Sequence, residues 1–378
     1  MTRFENARRG VGASFRLVLL FVLGVGVFLS ISLPILADND WNPTLFVKFP
    51  EAFPEVLAYG EERLGDVIVA PEAGHDGKFY FVQAMDPLYL DPGNNAYLLD
   101  RPAYRAQRML YPTVVALAGV WGAQSAVWAM YLINAIGIGL GCVVTALVAR
   151  ELGIFEYFGL AFVANLGMLY SGVLDTAEVL GLGLLMLGLY FCLRSSWGWM
   201  TFALTLSVLA REVMLAGVFG VVAYLVLSKK KVPWHLIWTF LVPGAWFGYL
   251  HLRVGDLPGY DDHAQVLDVP LAGFFKALES WMSQPGQTEN LAVGLLLMLI
   301  AIVFLVRVIL GNRDLVNTVA ASFALVAFTM AEVVWLQRFD STRALAPLMT
   351  LYILSIPLLR RGRTDSVGVS AASVEEKV

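Results

Sequence analysis

Ten long runs of this 378-residue chain contain no Asp, Glu, Lys or Arg. A helix that crosses a bilayer needs roughly 20 mainly apolar residues, because the hydrocarbon core is about 30 Å thick. The chain has 15% charged residues and a mean hydropathy of +0.69, whereas about a quarter of a soluble domain is charged. We therefore predict an all-α polytopic membrane protein with about ten transmembrane helices, in the runs 17–37, 109–149, 157–174, 179–193, 195–210, 213–228, 232–252, 290–306, 315–331 and 344–359.

The run 109–149 is too long for one transmembrane helix, and Gly119 and Gly122 interrupt it. The residues before this interruption, from Met109 to Ala118, are too few to cross the bilayer. We predict that they form a short helix that enters the outer leaflet. The rest of the run is expected to span the membrane.

Lys and Arg indicate orientation, because they accumulate on the cytoplasmic side of a membrane. The segment 38–108 has twelve acidic and six basic residues, which suits the outer side. The run 17–37 is expected to be an anchor, since Ile35 is not the small residue that a signal-peptide cut after Ala37 requires. Basic residues fall on alternate connections, which predicts that both termini are cytoplasmic: Arg3, Arg8, Arg9, Arg16, Arg150, Arg194, Lys229 to Lys231, Arg307, Arg313, Arg360, Arg361 and Arg363.

These patterns divide the chain into four parts. Residues 1–37 form a cytoplasmic N-terminus and the first transmembrane helix, and residues 38–108 form a large extracytoplasmic loop that carries the candidate catalytic residues. Residues 109–360 form a bundle of transmembrane helices. The small, polar residues 361–378 are expected to be a disordered cytoplasmic tail.

Cysteine content and charge exclude several classes of protein. Cys142 and Cys192 both lie inside apolar runs, so no disulfide framework is expected in the outer loop. The net charge of −4 argues against nucleic-acid binding, which requires a basic surface. Asp38 and Asp40 have a spacing that can hold a divalent cation on oxygen ligands, and this pair is the one candidate metal site. The four histidines, His75, His235, His251 and His263, do not have the spacing of metal ligands.

Residues 51–64 of the outer loop have the pattern of an amphipathic helix. Phe53, Val56, Leu57 and Leu64 fall near one helical face. Such a helix lies on a membrane surface or packs against the rest of the loop, and the pattern allows both.

Three arginines form a candidate phosphate-binding stripe. Asp100 is a plausible N-cap and Pro102 suits a first helical turn, so Arg101, Arg105 and Arg108 follow at spacings that share one helical face. Guanidinium groups bind phosphate through paired hydrogen bonds. The alternative is that these arginines pair with Asp91, Asp100 or lipid headgroups.

Asp76 is the leading candidate for a general base, a group that removes a proton from a reacting hydroxyl. Gly74 and Gly77 flank it and allow the backbone to turn tightly. The alternative is that Asp76 caps a helix that begins near Gly77. The next residues are aromatic side chains that can stack on a sugar or pack at the bilayer boundary: Phe79, Tyr80 and Phe81.

Charged residues at the edges of the apolar runs form a second group of candidates, because such charges face a cavity or each other. Asp175 and Glu178 lie at one outer edge, and Arg211 and Glu212 lie at another. A structural pairing of Arg211 with Asp175 or Glu178 is the alternative to contact with a ligand.

The last outer connection carries Arg338 and Arg343 ahead of the final apolar run. An arginine at a membrane edge needs an anionic partner. That partner is expected to be Asp340, Glu332 or a bound phosphate.

Several of these motifs together resemble a group of bacterial polytopic proteins related to the GT-C glycosyltransferases. The resemblance extends over residues 16–215. The chain differs from the group at His75, where an aromatic residue is usual, and at Lys78, where Gln is usual. The motifs are Gly74-His75-Asp76-Gly77-Lys78-Phe79-Tyr80, Asp86-Pro87, Leu99-Asp100-Arg101-Pro102-Ala103-Tyr104-Arg105-Ala106-Gln107-Arg108-Met109-Leu110-Tyr111-Pro112, Leu174-Asp175-Thr176-Ala177-Glu178 and Leu209-Ala210-Arg211-Glu212-Val213.

The resemblance implies a transferase in the bacterial cytoplasmic membrane. Such an enzyme takes a sugar from a polyprenyl-phosphate donor on the outer face and passes it to a lipid, glycan or protein acceptor. The resemblance places the general base at Asp76. Asp40 is the alternative position for this base. The resemblance also implies residues for the donor phosphate, Arg105 or Arg108 first and Arg211, Arg338 or Arg343 second, and further substrate contacts at Arg101, Tyr80, Tyr104, Asp175 and Glu212.

Two other classes of function remain open from the sequence. A non-enzymatic flippase or transporter of lipid-linked sugars should show inverted repeats and broken helices. No clear repeat is present, and the charged residues gather near one face. A structural subunit of an assembly would expose an apolar loop, whereas the loop 38–108 is acidic.

Overall fold

The computed structural model describes residues 3–71, 74–255 and 266–358, and the predicted disordered tail 361–378 lies outside them. Within the described ranges the chain is mostly helical. The two strands found there, β1 (Phe49–Pro50) and β2 (Val69–Ala70), form a short parallel pair within the segment 38–108.

The helices are numbered in chain order. The α-helices are α1 (Arg3–Ala37), α2 (Thr44–Val47), α3 (Pro54–Leu64), α4 (Gly77–Met85), α5 (Pro92–Asn95), α6 (Pro102–Ala106), α7 (Leu110–Ala118), α8 (Ala123–Glu151), α9 (Leu166–Val173), α10 (Glu178–Leu193), α11 (Trp197–Ala210), α12 (Leu215–Leu227), α13 (Trp238–Val254), α14 (Ala272–Ser283), α15 (Thr288–Ile309), α16 (Leu315–Thr329), α17 (Glu332–Trp335), α18 (Arg338–Ala344) and α19 (Ala346–Leu358). Short 3-10 helices occupy Ala96–Leu98, Glu156–Ala161, Glu212–Met214 and Trp234–Ile237.

Among the described residues, three helices are long and apolar enough to cross a membrane: Ser14–Ala37 within α1, Ala123–Glu151 and Thr288–Ile309. Large apolar side chains on these helices are exposed, as helices in contact with lipid require. Shorter apolar helices, α10, α11, α12, α16 and α19, accompany them. The described part of the chain is therefore compatible with an all-α membrane protein, as the uncharged runs predict.

One predicted transmembrane helix is wrong. The run 157–174 is divided between a 3-10 helix and the short α9, with a break at Asn165. The Asn165 side chain accepts a hydrogen bond from the backbone N–H of Gly167, and its Nδ2 atom donates to Ala346 O at 2.7 Å and Thr350 Oγ1 at 2.9 Å. The Asn165 side chain thus caps the start of α9 and connects it to α19. A new helix begins after Asn165, so the run 157–174 is not one continuous helix.

The predicted short helix after Met109 is confirmed as α7, which ends at Ala118. A side chain at Gly119 would approach the backbone of Ala126 to 2.6 Å, so the glycine allows close packing between the end of α7 and the start of α8. The prediction that α7 enters the outer leaflet stays a prediction.

The segment 38–108 has its own apolar core. The predicted amphipathic helix is present as α3, whose side chains Val56, Tyr59 and Leu64 are buried. They belong to one cluster with Phe49 and Phe81, and the two phenylalanine rings meet edge to face at 5.4 Å. The apolar face of α3 therefore packs against the rest of the loop, which supports the second of the two alternatives.

A tight turn brings candidate residues together at one end of the bundle. α10 begins at Glu178, and after the turn at residues 194–196 α11 returns and ends at Ala210. The first residue of α10 and the residues just after α11 therefore meet at the same end. The outer segment and α18 complete this end of the structure.

Candidate functional site

A cavity of about 660 Å³ opens at this end of the helices. Its described lining combines five basic side chains, four acidic side chains and an apolar side. The lining residues are Asp76, Arg101, Tyr104, Arg105, Arg211, Val266, Asp268, Lys276, Ala331, Glu332, Val333, Val334, Asp340, Arg343 and Ala344.

Asp76 is surrounded by arginines from two parts of the chain. Its Oδ1 atom accepts a hydrogen bond from Arg105 Nη1 at 2.7 Å. Its Oδ2 atom lies 3.4 Å from Arg343 Nη2 and 3.7 Å from Arg108 Nη1. Asp76 precedes α4 as the sequence alternative predicts, but its side chain makes no capping hydrogen bond. The carboxylate serves to hold arginines.

These arginines keep Asp76 ionised. Burial favours the neutral form of the Asp76 carboxyl, but the charges of Arg105, Arg343, Arg108 and Arg211 outweigh it and hold the pKa well below its usual range. A carboxylate with so low a pKa is a weak base. Asp76 therefore fits the role of an electrostatic organiser better than that of the predicted general base.

The predicted arginine stripe divides in two, because α6 ends at Ala106. Arg105 binds Asp100 through Nε at 2.8 Å and Nη2 at 3.1 Å, so the Asp100 carboxylate pairs with Arg105 and does not cap the helix. Arg101 occupies the N-cap position and lines the cavity.

Arg108 is 1% exposed, and its guanidinium forms a bidentate pair with Glu212 at 2.8 and 2.7 Å. Tyr104 lies beside it, with its ring centroid 4.4 Å from the Arg108 guanidinium carbon. Arg105 and Arg108 are thus already paired with carboxylates. Glu212, which was predicted to contact substrate, serves as the partner of Arg108.

Glu178 joins the two remaining arginines. Its side chain is fully buried, and its Oε1 atom lies 2.9 Å from Arg343 Nη2 and 3.1 Å from Arg211 Nη2. Its Oε2 atom accepts a hydrogen bond from Ser171 Oγ at 3.0 Å. The predicted pairing of Arg211 with Glu178 is confirmed, and one carboxylate orients two guanidinium groups.

Three guanidinium nitrogens remain without a partner in the described structure. They are Nε and Nη1 of Arg211 and Nε of Arg343, and all three are buried. A buried donor without an acceptor is costly. Because both arginines line the cavity, an anion bound there could satisfy these donors.

Other predicted site residues lie elsewhere. Asp38 and Asp40 are exposed in the turn after α1, and neither lines the cavity. Arg338 begins α18 and pairs with the exposed Glu289 at 2.9 Å. The expected partner Asp340 is found for Arg343, at 3.5 Å, and not for Arg338, which does not line the cavity.

Tyr80 and Asp175 are buried away from the cavity lining. Tyr80 is 2% exposed and packs edge to face on Tyr111 at 5.2 Å. Asp175 lies in the short turn between α9 and α10 with a positive φ of 48°, and its Oδ1 atom accepts a 3.5 Å hydrogen bond from Asn134. These positions do not support the predicted substrate contacts.

The neighbouring aromatic residues also belong to the core of the loop, since Phe79 is 2% exposed and Phe81 is fully buried. Phe79 supports Arg105, whose guanidinium carbon lies 4.4 Å from the ring centroid. Neither ring is free to stack on a sugar or to contact lipid.

Part of the cavity wall has no signal in the sequence. Asp268 and Lys276 form an ion pair of 2.8 Å, and they line the wall with Glu332 and Asp340. The segment before α14 is held by a β-bridge between Leu267 and Met330. No motif marks Asp268 or Lys276, so only the fold brings them to the site.

The described residues contain no group of three or more His, Cys, Asp or Glu side chains that could hold a metal ion. Comparisons with protein-family models, with curated proteins and with solved structures find no match to this chain. The likeness to GT-C proteins therefore stays an expectation from the motifs.

Proposed function

We propose that the protein is a membrane glycosyltransferase of the GT-C type. It would transfer a sugar from a polyprenyl-phosphate donor to a lipid, glycan or protein acceptor on the extracytoplasmic face of the bacterial cytoplasmic membrane. The observation that carries the proposal is that Arg211 and Arg343, which line a large cavity, keep buried guanidinium nitrogens without a partner among the described residues.

The anion expected there is the donor phosphate. Guanidinium groups offer phosphate planar pairs of donors, and Arg211 has two nitrogens without a partner among the residues that the structure describes. We assign the phosphate to Arg211 and Arg343, and not to Arg105 and Arg108, whose guanidinium groups are paired with Asp100 and Glu212. This reverses the order that the sequence motifs imply.

The rest of the cavity suits the other parts of such a donor. One side of the wall is apolar, with Val266, Ala331 and Val333 among its residues, and Val333 is 60% exposed. An isoprenoid chain could lie against this side, next to membrane lipids. The carboxylates on the remaining wall could bind the hydroxyl groups of a sugar.

The rate of sugar transfer depends on how well the protein stabilises the negative charge that grows on the leaving phosphate. When the bond between sugar and phosphate breaks, negative charge grows on the phosphate oxygens, and donors fixed in advance stabilise that charge. Glu178 fixes two guanidinium groups for this purpose. A transporter is a weaker candidate, because transporters bind substrate near the middle of the membrane between broken helices.

The test is a sugar-release assay on the purified protein in detergent micelles. Polyprenyl-phosphate donors carrying radiolabelled glucose, mannose or galactose are incubated with membrane lipid extract as acceptor. We expect label to leave at least one donor and to appear in a product that no longer contains the phosphate. Loss of the donor from one leaflet of a vesicle, with the sugar–phosphate bond intact for every donor, would instead support a flippase.

A further inference from the structure

Asp340 is a carboxylate in the cavity wall that forms few hydrogen bonds or ion pairs with the other described side chains. It lies on α18, one helical turn before Arg343, and its side chain is 41% exposed. Its Oδ1 atom is 3.5 Å from Arg343 Nη1. In the described part of the chain its Oδ2 atom has no hydrogen bond or ion pair with any residue. Both oxygens of Asp76, in contrast, face guanidinium groups.

We propose that Asp340, and not Asp76, is the general base of the reaction. This inference rests on the proposed transferase function. Asp340 contacts Arg343, one of the two arginines assigned to the donor phosphate. A hydroxyl group of the acceptor can therefore approach Asp340 while the phosphate lies on the adjacent guanidinium group.

The proposed step is a single displacement. Asp340 Oδ2 takes the proton of the acceptor hydroxyl, and that oxygen forms a bond to the anomeric carbon of the sugar. The bond from the anomeric carbon to the phosphate oxygen breaks, and the electron pair leaves with the polyprenyl phosphate. Arg211 and Arg343 hold the negative charge of the leaving group, and the proton later passes from Asp340 to water.

The environment of Asp340 favours proton uptake. Partial burial raises the pKa of the Asp340 carboxyl, and the negative charges of Asp76 and Glu178 add to this effect, while Arg343 and Arg211 oppose it. A base is most effective when its pKa approaches the working pH. The pKa of Asp76 moves in the opposite direction.

Other charged groups around Asp340 must be considered in any pH profile. Arg338 shares its helix, and Asp268, Glu332 and Lys276 line the same cavity. His75 is also near, since its ring centroid is 6.4 Å from that of Phe339. Burial, together with the charge of Arg343, lowers the pKa of His75.

Glu332 is the competing carboxylate. It lines the cavity, and none of the residues that the structure describes forms an ion pair with it. Its charge acts on Lys276, and no ion pair joins it to Arg211 or Arg343 in the described structure. We therefore place the base at Asp340, next to the phosphate site, and treat Glu332 as the alternative that the experiment must exclude.

The experiment measures kcat for sugar transfer as a function of pH, with the donor that the wild-type protein accepts. A base acts in its deprotonated form, so kcat should rise with pH through the pKa of Asp340, which is raised from its usual value. In Asp340→Asn kcat should fall by about 10² to 10⁴, and this rise should disappear. Asp340→Glu should recover part of the activity with a displaced rise. His75→Phe should keep the rise.

Binding of farnesyl phosphate, measured by tryptophan fluorescence, separates chemistry from folding. Asp340→Asn should bind farnesyl phosphate as the wild-type protein does. The control is Glu289→Gln, which changes an exposed partner of Arg338 and should match the wild type in both assays. The inference about Asp340 alone would be overturned by the following result. The wild-type protein is active, and the rise of kcat with pH persists in Asp340→Asn but disappears in Glu332→Gln, Asp76→Asn or His75→Phe. No transfer by the wild-type protein from any donor would overturn the proposed function as well.

Discussion

At the scale of single residues, the cavity contains arginines of two kinds. Arg105 and Arg108 are paired with carboxylates, whereas Arg211 and Arg343 share Glu178 and keep nitrogens that have no partner in the described part of the chain. The sequence predicts all four as candidates, because motif and membrane-edge position are visible in it. It could not predict how each arginine is paired, since the partners of Arg108 and Arg343 lie far away in the chain.

Glu178→Gln tests the importance of the shared carboxylate for stability. The change removes the negative charge that Arg211 and Arg343 share, while Arg343 keeps its longer contacts to Asp76 at 3.4 Å and Asp340 at 3.5 Å. Removing one partner of a buried ion pair costs about 3 to 5 kcal/mol, so the thermal unfolding temperature in detergent micelles should fall clearly.

The matched control for this prediction is Glu289→Gln. Glu289 is 71% exposed and also pairs with an arginine, Arg338. Exposed ion pairs contribute about 0 to 1 kcal/mol, so this variant should unfold close to the wild-type temperature. Equal unfolding temperatures for the two variants would mean that Glu178 is not a structural centre of the cavity.

At the scale of secondary-structure elements, close packing at the start of α4 positions Asp76. A Cβ atom at Gly77 would approach Leu174 O to 2.7 Å and Val47 O to 2.8 Å. These are backbone atoms of the turn before α10 and of α2, so they cannot move aside as a side chain does. The sequence indicates the tight turn through Gly74 and Gly77, but it does not indicate which elements the turn approaches.

Gly77→Ala should therefore displace α4 and reduce both stability and sugar transfer. Overpacking of this kind typically costs about 1 to 3 kcal/mol, and unfolding in detergent micelles measures it. Gly198→Ala is the control, because Gly198 also lies in the first turn of a helix and nothing is within 4 Å of its added Cβ. If Gly77→Ala were as stable and active as Gly198→Ala, the proposed docking of α4 would be incorrect.

Helix boundaries illustrate what the sequence can predict. The uncharged runs locate α1, α8 and α15 well, because a long apolar run has no polar interruption. The run 157–174 misleads, since the 3-10 helix ends at Ala161 and Asn165, which carries no charge, caps the start of α9. Side-chain capping by an uncharged residue is not visible in a search for charges.

At the scale of the whole molecule, the cavity collects residues from across the chain at one end of the helices. Asp76 and Arg343 come from opposite ends of the sequence and lie 3.4 Å apart. Charge asymmetry predicts that this end faces outward. Asp268 and Lys276 could not be predicted as part of the site, because their position depends on the β-bridge before α14.

Labelling with an impermeant thiol reagent tests the orientation. Cys142 and Cys192 are buried, so the signal should come from an introduced cysteine. Glu62→Cys, at a position that is 77% exposed in the outer segment, should react in intact cells. Lys231→Cys, at an exposed position between α12 and α13, should react only after permeabilisation. The reverse pattern would place the cavity in the cytoplasm.

The central claim is that Arg211 binds the phosphate of a lipid carrier. It is tested most directly by comparing the affinity of the wild-type protein and of Arg211→Ala for farnesyl phosphate and for farnesol, which lacks the phosphate. The wild-type protein should prefer farnesyl phosphate, and Arg211→Ala should lose about 1.5 to 3 kcal/mol of that preference while its affinity for farnesol stays the same. Arg338→Ala, outside the cavity, should keep the full preference. An unchanged preference in Arg211→Ala would contradict the account.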